Sequence, residues 1–164
     1  MNKTKLRWTV LTGLVAAICA IGSLIPLPGF IKSAALDSAP AFISVAFLPP
    51  LYSGIAGALG HLATGLTSGF PQGPFHILIA VEMFIIVYVF NILHKKGFQL
   101  LKWVFLIFAN GVLTPLPFYF IISPAFYSGA VSALTLAAAV NAVVAMVVLP
   151  IVSRVYKKSK VSSI

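Results

Sequence analysis

Acidic side chains are nearly absent from this chain: Asp37 and Glu82 stand against 11 lysines and arginines. Charged residues of both signs make up only 8% of its 164 residues. Cysteine occurs once, as Cys19 inside an apolar run, which excludes an internal disulfide and a cysteine-based metal site. There is no Walker A loop, no G-x-S-x-G elbow and no H-E-x-x-H pair. The sequence marks of ATP hydrolysis, serine-nucleophile catalysis and zinc proteolysis are therefore all missing. No internal repeat, low-complexity tract or soluble domain is visible.

What the chain does have is apolar surface. Sixty per cent of it is hydrophobic, and its mean hydropathy is +1.08. A soluble domain of this size could not hide that much, so a bilayer is the expected solvent. The net charge of +9 raises the question of nucleic acid, but the bases sit at the margins of apolar runs rather than along one face. Lys3, Lys5 and Arg7 precede the first run. His94, Lys95, Lys96 and Lys102 separate two central runs, and Arg154, Lys157, Lys158 and Lys160 follow the last. This is the cytoplasmic-loop bias of a membrane protein and argues against a nucleic-acid partner. The run from Trp8 to Ile25 is long for a signal-peptide core and reads as a retained transmembrane helix.

Apolar runs bounded by Pro, Gly or Lys give helix candidates at 8–25, 38–48, 50–67, 75–93, 103–122 and 130–152. A helical span needs about 20 apolar residues. The second candidate rises only ~16 Å, so it is tilted, extended or re-entrant. Six crossings put both basic termini and the His94–Lys96 loop on one side, as the positive-inside bias requires, whereas five do not. The expected fold is an all-α integral membrane protein, a six-transmembrane-helix bundle forming a single domain over 1–164 with both termini cytoplasmic. Lys32 is then the only base in an outer loop, and Ser68–Gly73 and Ser123–Gly129 are outer loops as well.

Polar residues inside this oil are the candidate functional groups. Asp37 precedes Ser38-Ala39-Pro40 and fits a helix N-cap, or alternatively orders the outer loop over a ligand. Glu82 lies inside the fourth span, ~10 Å along the helix from His76. Ionisable groups at such depth usually face a protein interior or a wet cavity. His61 is its candidate partner, in a ligand or proton role or in a buried hydrogen bond. Gly57, His61, Thr64 or Gly65, and Ser68 share one face of the third span, consistent with a ligand pocket or with close helix packing. His61 and His76 bracket the polar stretch GHLATGLTSGFPQGPFH, which also contains Gln72; two histidines and one glutamate do not make a metal signature. Asn110 and Thr114 share a face of the fifth span, ahead of the helix-distorting Pro115 and Pro117, and Asn141 lies in the sixth. Phe118, Tyr119, Phe126 and Tyr127 gather at the outer end, as an interfacial belt or as a stacking platform. In the first helix Thr12, Ala16, Ala20 and Ser23 form a small-residue ridge suited to an approaching helix.

The layout resembles the S component of energy-coupling factor (ECF) vitamin transporters. The elements that carry the resemblance are the AxxxA ridge Ala16–Ala20, LDSAPAF over Leu36–Phe42, and GHLATGLTSGFPQGPFH running into ILIAVEM. The resemblance covers most of the chain. It implies a multi-pass protein of a prokaryotic plasma membrane that binds a vitamin or precursor and has no catalytic residue, metal or cofactor of its own. Its partners would be a transmembrane coupling subunit, docked through Ala16 and Ala20, and two ATPase subunits. The implied substrate pocket lies at the outer ends of helices 3–6 and the loop before helix 2. Its candidate residues are Asp37, His61, Thr64, Ser68, Gln72, His76, Glu82, Asn110, Thr114, Tyr119 and Asn141. The GHL…GFP…H block is most similar to the cobalamin-precursor branch, which implies α-ribazole; riboflavin, pantothenate and a thiamin pyrimidine are alternatives. Aromatic rings suit a flat base, and His, Thr, Asn and Glu suit ribose hydroxyls. The scarcity of cations near this pocket argues against a strongly anionic ligand. Two readings from other classes stand beside it. One is an intramembrane enzyme using His61, His76 and Glu82 as acid and base. The other is a structural or channel-forming protein in which the polar stripes pack or line a pore.

Overall fold

A computed structural model describes residues 2–27, 31 and 34–161; Lys32 lies outside the described residues. Helix α1 spans Lys3–Gly22, with Asn2 capping it through a 3.0 Å bond from the Thr4 amide. A short α2, Ala39–Ile43, continues into a 3₁₀ turn at Ser44–Ala46. Then follow α3, Pro50–Ser68, and α4, Phe75–Lys95. Helix α5, Gln99–Phe108, passes through a π-helical segment, Ala109–Leu113, into α6, Leu116–Ile121. Helix α7, Pro124–Val161, closes the bundle. Among the described residues the only β feature is a bridge between Pro26 and Ala35.

Four segments have the length and apolar composition to cross a bilayer: Lys3–Gly22, Phe75–Lys95, Gln99–Ile121 and Pro124–Ser159. Helix α3 matches them in length but carries His61 and several Gly, Ser and Thr residues. Large apolar side chains such as Val10, Leu14, Ile77, Phe120 and Val155 face outward, the inverse of a water-soluble fold.

Glycines set the closest approaches. A Cβ at Gly60 of α3 would lie 2.6 Å from the Cys19 Cβ on α1. At Gly57 and Gly54 it would meet Val87 and Phe84 of α4 at 2.7 and 2.9 Å. The small residues of α3 therefore wedge it between α1 and α4, and Gly57 packs there instead of sharing a pocket face with His61. Gly69, at φ 78°, ends α3 in the left-handed conformation, and the Phe70 amide closes back to the Gly65 carbonyl at 2.7 Å.

Helices α1 and α3 run in the same direction. Trp8 touches Tyr52 at one end, while Ser23 and Thr67 share a hydrogen bond at the other. The described stretch ahead of α3 must therefore return across the bundle. The helical part of that return rises only ~12 Å, less than the expected 38–48 helix. Its backbone is completed by side chains from long helices. Asn141 of α7 accepts from the Ser38 and Ala39 amides at 3.1 and 2.8 Å and donates to the Ala35 carbonyl at 2.9 Å. Asn91 of α4 donates to the Leu48 carbonyl at 3.1 Å and to Ser53 at 2.8 Å. Non-helical backbone inside an apolar bundle needs such partners. Fully buried Phe42 and Phe90, with ring centroids 5.0 Å apart, anchor the middle of the core.

Several boundaries differ from the sequence reading: α7 runs on to Val161 rather than 152, and α5 starts at Gln99 rather than 103. Helix α7 begins at Pro124, not at 130, because Ser123 caps it through the Phe126 amide and proline suits the first turn. Much of the expected outer loop Ser123–Gly129 is thus helix. Helix α1 extends down to Lys3 where 8 was expected, and its polar first turn is exposed.

Candidate functional site

A cavity lies between the loop ahead of α2, the outer halves of α3 and α4, the π segment and α7. Asp37, Ser38, His61, Gln72, Ile79, Met83, Asn110, Thr114, Phe118, Phe126 and Asn141 are among its lining residues. Its volume is about 60 Å³, room for a few waters.

One wall is a chain of hydrogen bonds. The Thr64 hydroxyl donates to the Asp37 carboxylate at 2.7 Å and lies 3.1 Å from the Gly60 carbonyl. One turn back, His61 Nε2 and His76 Nδ1 are 3.1 Å apart, with the rings stacked at 5.2 Å. Phe70 meets the far side of His76 edge-on at 5.4 Å. Asp37 sits in the connection ahead of α2. Burial pushes its carboxyl up to about 6, although Thr64 and the amides of Asp37 and Ser38 oppose the shift.

The opposite wall is apolar and aromatic. Phe118 lies 5.6 Å from Phe75 and 5.9 Å from Phe126, ring centroid to centroid. The π segment brings Asn110 and Thr114 to this wall. Thr114 closes it, with amide and hydroxyl 2.9 and 3.2 Å from the Ala109 carbonyl. Gly111 allows the segment to lie on α7, where a Cβ would meet Thr135 at 2.6 Å. A π turn rotates the following side chains relative to an α-helix and is frequent at functional sites.

Asp37, His61, Gln72, Asn110, Thr114 and Asn141 thus converge, with Thr64 and His76 directly behind them. Three candidates do not join this cavity. Ser68 turns its hydroxyl back to the Thr64 carbonyl at 2.7 Å, as small hydroxyls do near a helix end. Tyr119 is 41% exposed and contacts Phe120 and Tyr127; its neighbour Phe118 occupies the cavity wall instead. Glu82 faces a separate groove between α4 and α5 with Ile86, Phe105 and Leu113, and its Oε2 has no hydrogen-bond partner. It does not meet His61, because Ile79 and Met83 present the cavity-facing side of α4 and Glu82 the adjoining one.

Two role assignments also change. Asp37 is not the residue that caps α2, because Asn141 supplies that cap from α7. Asn141 in turn donates to Ala35 and Ala137 at 2.9 Å each, so both ends of its amide are engaged within the fold. Asn110, in contrast, presents an amide to the cavity without a partner among the described residues. Phe118 and Phe126, read from the sequence as an interfacial belt or a stacking platform, line the cavity, whereas the apolar Ile79 and Met83 were not among the candidate site residues. The i, i+4 spacing of Ile79 and Met83 was the available signal.

No family model, curated protein or solved structure matches this chain. The site must be read from its own chemistry. It offers an aromatic wall, a half-buried carboxyl, an imidazole pair and a free amide. Among the described residues, no three metal-binding side chains converge.

Ala16 and Ala20 on α1 are half-buried beside the covered positions Thr12, Val15 and Cys19. Next to them Gly13 and Ala17 lie open, and a Cβ at Gly13 would meet nothing within 4 Å.

Proposed function

We propose that this protein is a substrate-binding membrane subunit of the energy-coupling-factor type, with six crossings, cytoplasmic termini and no enzymatic activity of its own. Its ligand is a small, flat, uncharged or weakly charged nutrient, and a benzimidazole riboside such as α-ribazole fits best. Riboflavin or a thiamin pyrimidine are alternatives of the same kind, and pantothenate, a flexible carboxylate, is an alternative that would not use the aromatic wall for stacking. The observation that carries this reading is the pairing of the Phe118–Phe126 wall with the Asp37–Thr64 and His61–His76 pairs across one cavity. Aromatic faces hold a planar base, and carboxyl, imidazole and amide groups hold hydroxyls and ring nitrogens. The return of the chain between α1 and α3 supports the even number of crossings.

A cavity of about 60 Å³ is too small for a riboside, since small-molecule sites usually span about 300–1,000 Å³. Binding therefore requires widening, and the short α2 connection is the element with least helical support. Coupling and ATP hydrolysis belong to partners, docked on the α1 ridge at the half-buried Ala16 and Ala20, with the open Gly13 and Ala17 beside it. Ala16→Trp or Ala20→Trp is expected to abolish uptake and spare ligand binding.

The deciding experiment is mass spectrometry of small molecules that co-purify with the protein. Thermal-shift competition among α-ribazole, riboflavin, pantothenate and pyrimidine precursors follows. Stabilisation by one of these, lost in Asn110→Leu and retained in Glu82→Gln, supports the reading. No stabilisation by any of them, with no coupling subunit retained during purification, overturns it.

A further inference from the structure

At the opposite end of the bundle from the cavity lies a second arrangement, unrelated to the small-molecule site. The N-terminal turns of α1, the turn between α2 and α3, the end of α4 and the C-terminal part of α7 enclose a groove of about 670 Å³. Three cations line it: Lys3, Arg7 and Lys95. Among the described residues no acidic side chain lines it. Asp37 lines the distant cavity and Glu82 the α4–α5 groove.

This polar groove continues into an apolar one. Arg7, Phe47 and Tyr156 line both. Arg7 stands over the Tyr156 ring at 5.9 Å, and Tyr156 meets Phe47 at 6.1 Å. Beyond them a channel of about 380 Å³ follows α1 and α7 past Leu11, Val152 and Ile151. Its flank is open to the surroundings, with Val155 66% and Ile151 56% exposed. From Ser159 to Ile151 the channel descends ~12 Å along α7, away from the basic end and toward the middle of the apolar helices.

We infer that this joined groove is a binding site for one anionic phospholipid, its phosphate held by Lys3, Arg7 and Lys95 and an acyl chain lying between α1 and α7. Charge complementarity selects an anion. The apolar continuation, running lengthwise along two bilayer-type helices, selects one that carries a hydrocarbon chain. An acidic protein segment would satisfy the cations but leave the lengthwise channel unused. Tyr156 sits at the junction and Trp8 lines the basic groove, where amphipathic rings favour the level of the headgroups. The inference needs only that the protein lies in a bilayer, so it stands or falls separately from the transport reading.

The test uses the full chain, delipidated in a neutral detergent. Phosphatidylglycerol, phosphatidylcholine of the same chains, glycerol phosphate and inorganic phosphate are each titrated by native mass spectrometry and thermal shift. Phosphatidylglycerol is expected to bind one to one and to stabilise the protein, and the other three are not. Arg7→Gln combined with Lys95→Gln should weaken it roughly thirtyfold, at about one kcal/mol per basic residue. Lys96→Gln combined with Lys158→Gln, which removes two exposed charges outside the groove, should leave it within twofold. Equal binding of phosphatidylcholine overturns the proposal, as does equal loss in the control pair. Glycerol phosphate matching the lipid would make this a soluble-anion site, and displacement of lipid by a co-purifying acidic protein would make it a protein interface; either result overturns the proposal. The wild-type lipid comparison decides the matter even if the variants fold poorly.

Discussion

Thr64 on α3 donates a 2.7 Å hydrogen bond to Asp37, twenty-seven positions earlier in the chain. This bond fastens the returning segment to the helix that carries His61; Thr64 is buried and Asp37 half-buried. Thr64→Val keeps the shape and removes the donor, leaving the carboxyl short of a partner. It should cost about 1–3 kcal/mol, read as a lower thermal unfolding midpoint in detergent, whereas Thr64→Ser should recover most of it.

Asp37 also gives a pH dependence with a definite sign. Its carboxyl is raised from 3.8 to about 6 by burial. The folded state therefore favours the protonated form. That contribution to stability is complete below about pH 4, fades as pH rises through 6, and is absent above it. The unfolding midpoint should fall across this window and then level off. Asp37→Asn, which cannot ionise, should flatten the profile, and an unchanged slope in that variant would contradict the assignment.

Asn141 serves three backbone positions of the return at once. Asn141→Leu keeps the volume but strips the cap from α2 and leaves the Ala35 carbonyl unpaired. A loss of about 2–4 kcal/mol is expected. Hydrogen exchange should localise it, with the amides of Ser38, Ala39 and Phe42 losing protection well before those of α4.

Two glycine substitutions should have opposite signs. Gly60→Ala places a methyl 2.6 Å from Cys19 and must push α1 away from α3. Overpacking of this kind costs about 1–3 kcal/mol. Gly13→Ala points into open space, and alanine's higher helix propensity should stabilise α1 by up to about 1 kcal/mol. Thermal unfolding of the two variants side by side checks both.

Much of the layout was legible in residue order. The long apolar runs of α1, α4 and α7 follow from hydropathy alone, and Pro50 marks the start of α3 as proline should. The polar stretch around His61 did lead to a cavity wall. The direction of individual side chains was not legible. Glu82 and Met83 are adjacent in sequence yet serve different grooves, because consecutive helical positions point ~100° apart. Tyr119 and Phe118 exchange roles for the same reason, after a π turn whose extra residue resets the register of α6.

Composition and pattern by themselves determined that the chain is helical, that it presents apolar surface outward, and that its bases cluster at the ends of its apolar runs. Those properties sum over many residues and tolerate local error. The tertiary structure alone decided that a return too short to be an ordinary span is completed by Asn91 and Asn141, and that Asp37 bonds to Thr64. It also decided that Lys3, Arg7 and Lys95 frame one groove. Each of these depends on which groups meet across helices, where a rotation of one residue exchanges a partner for none.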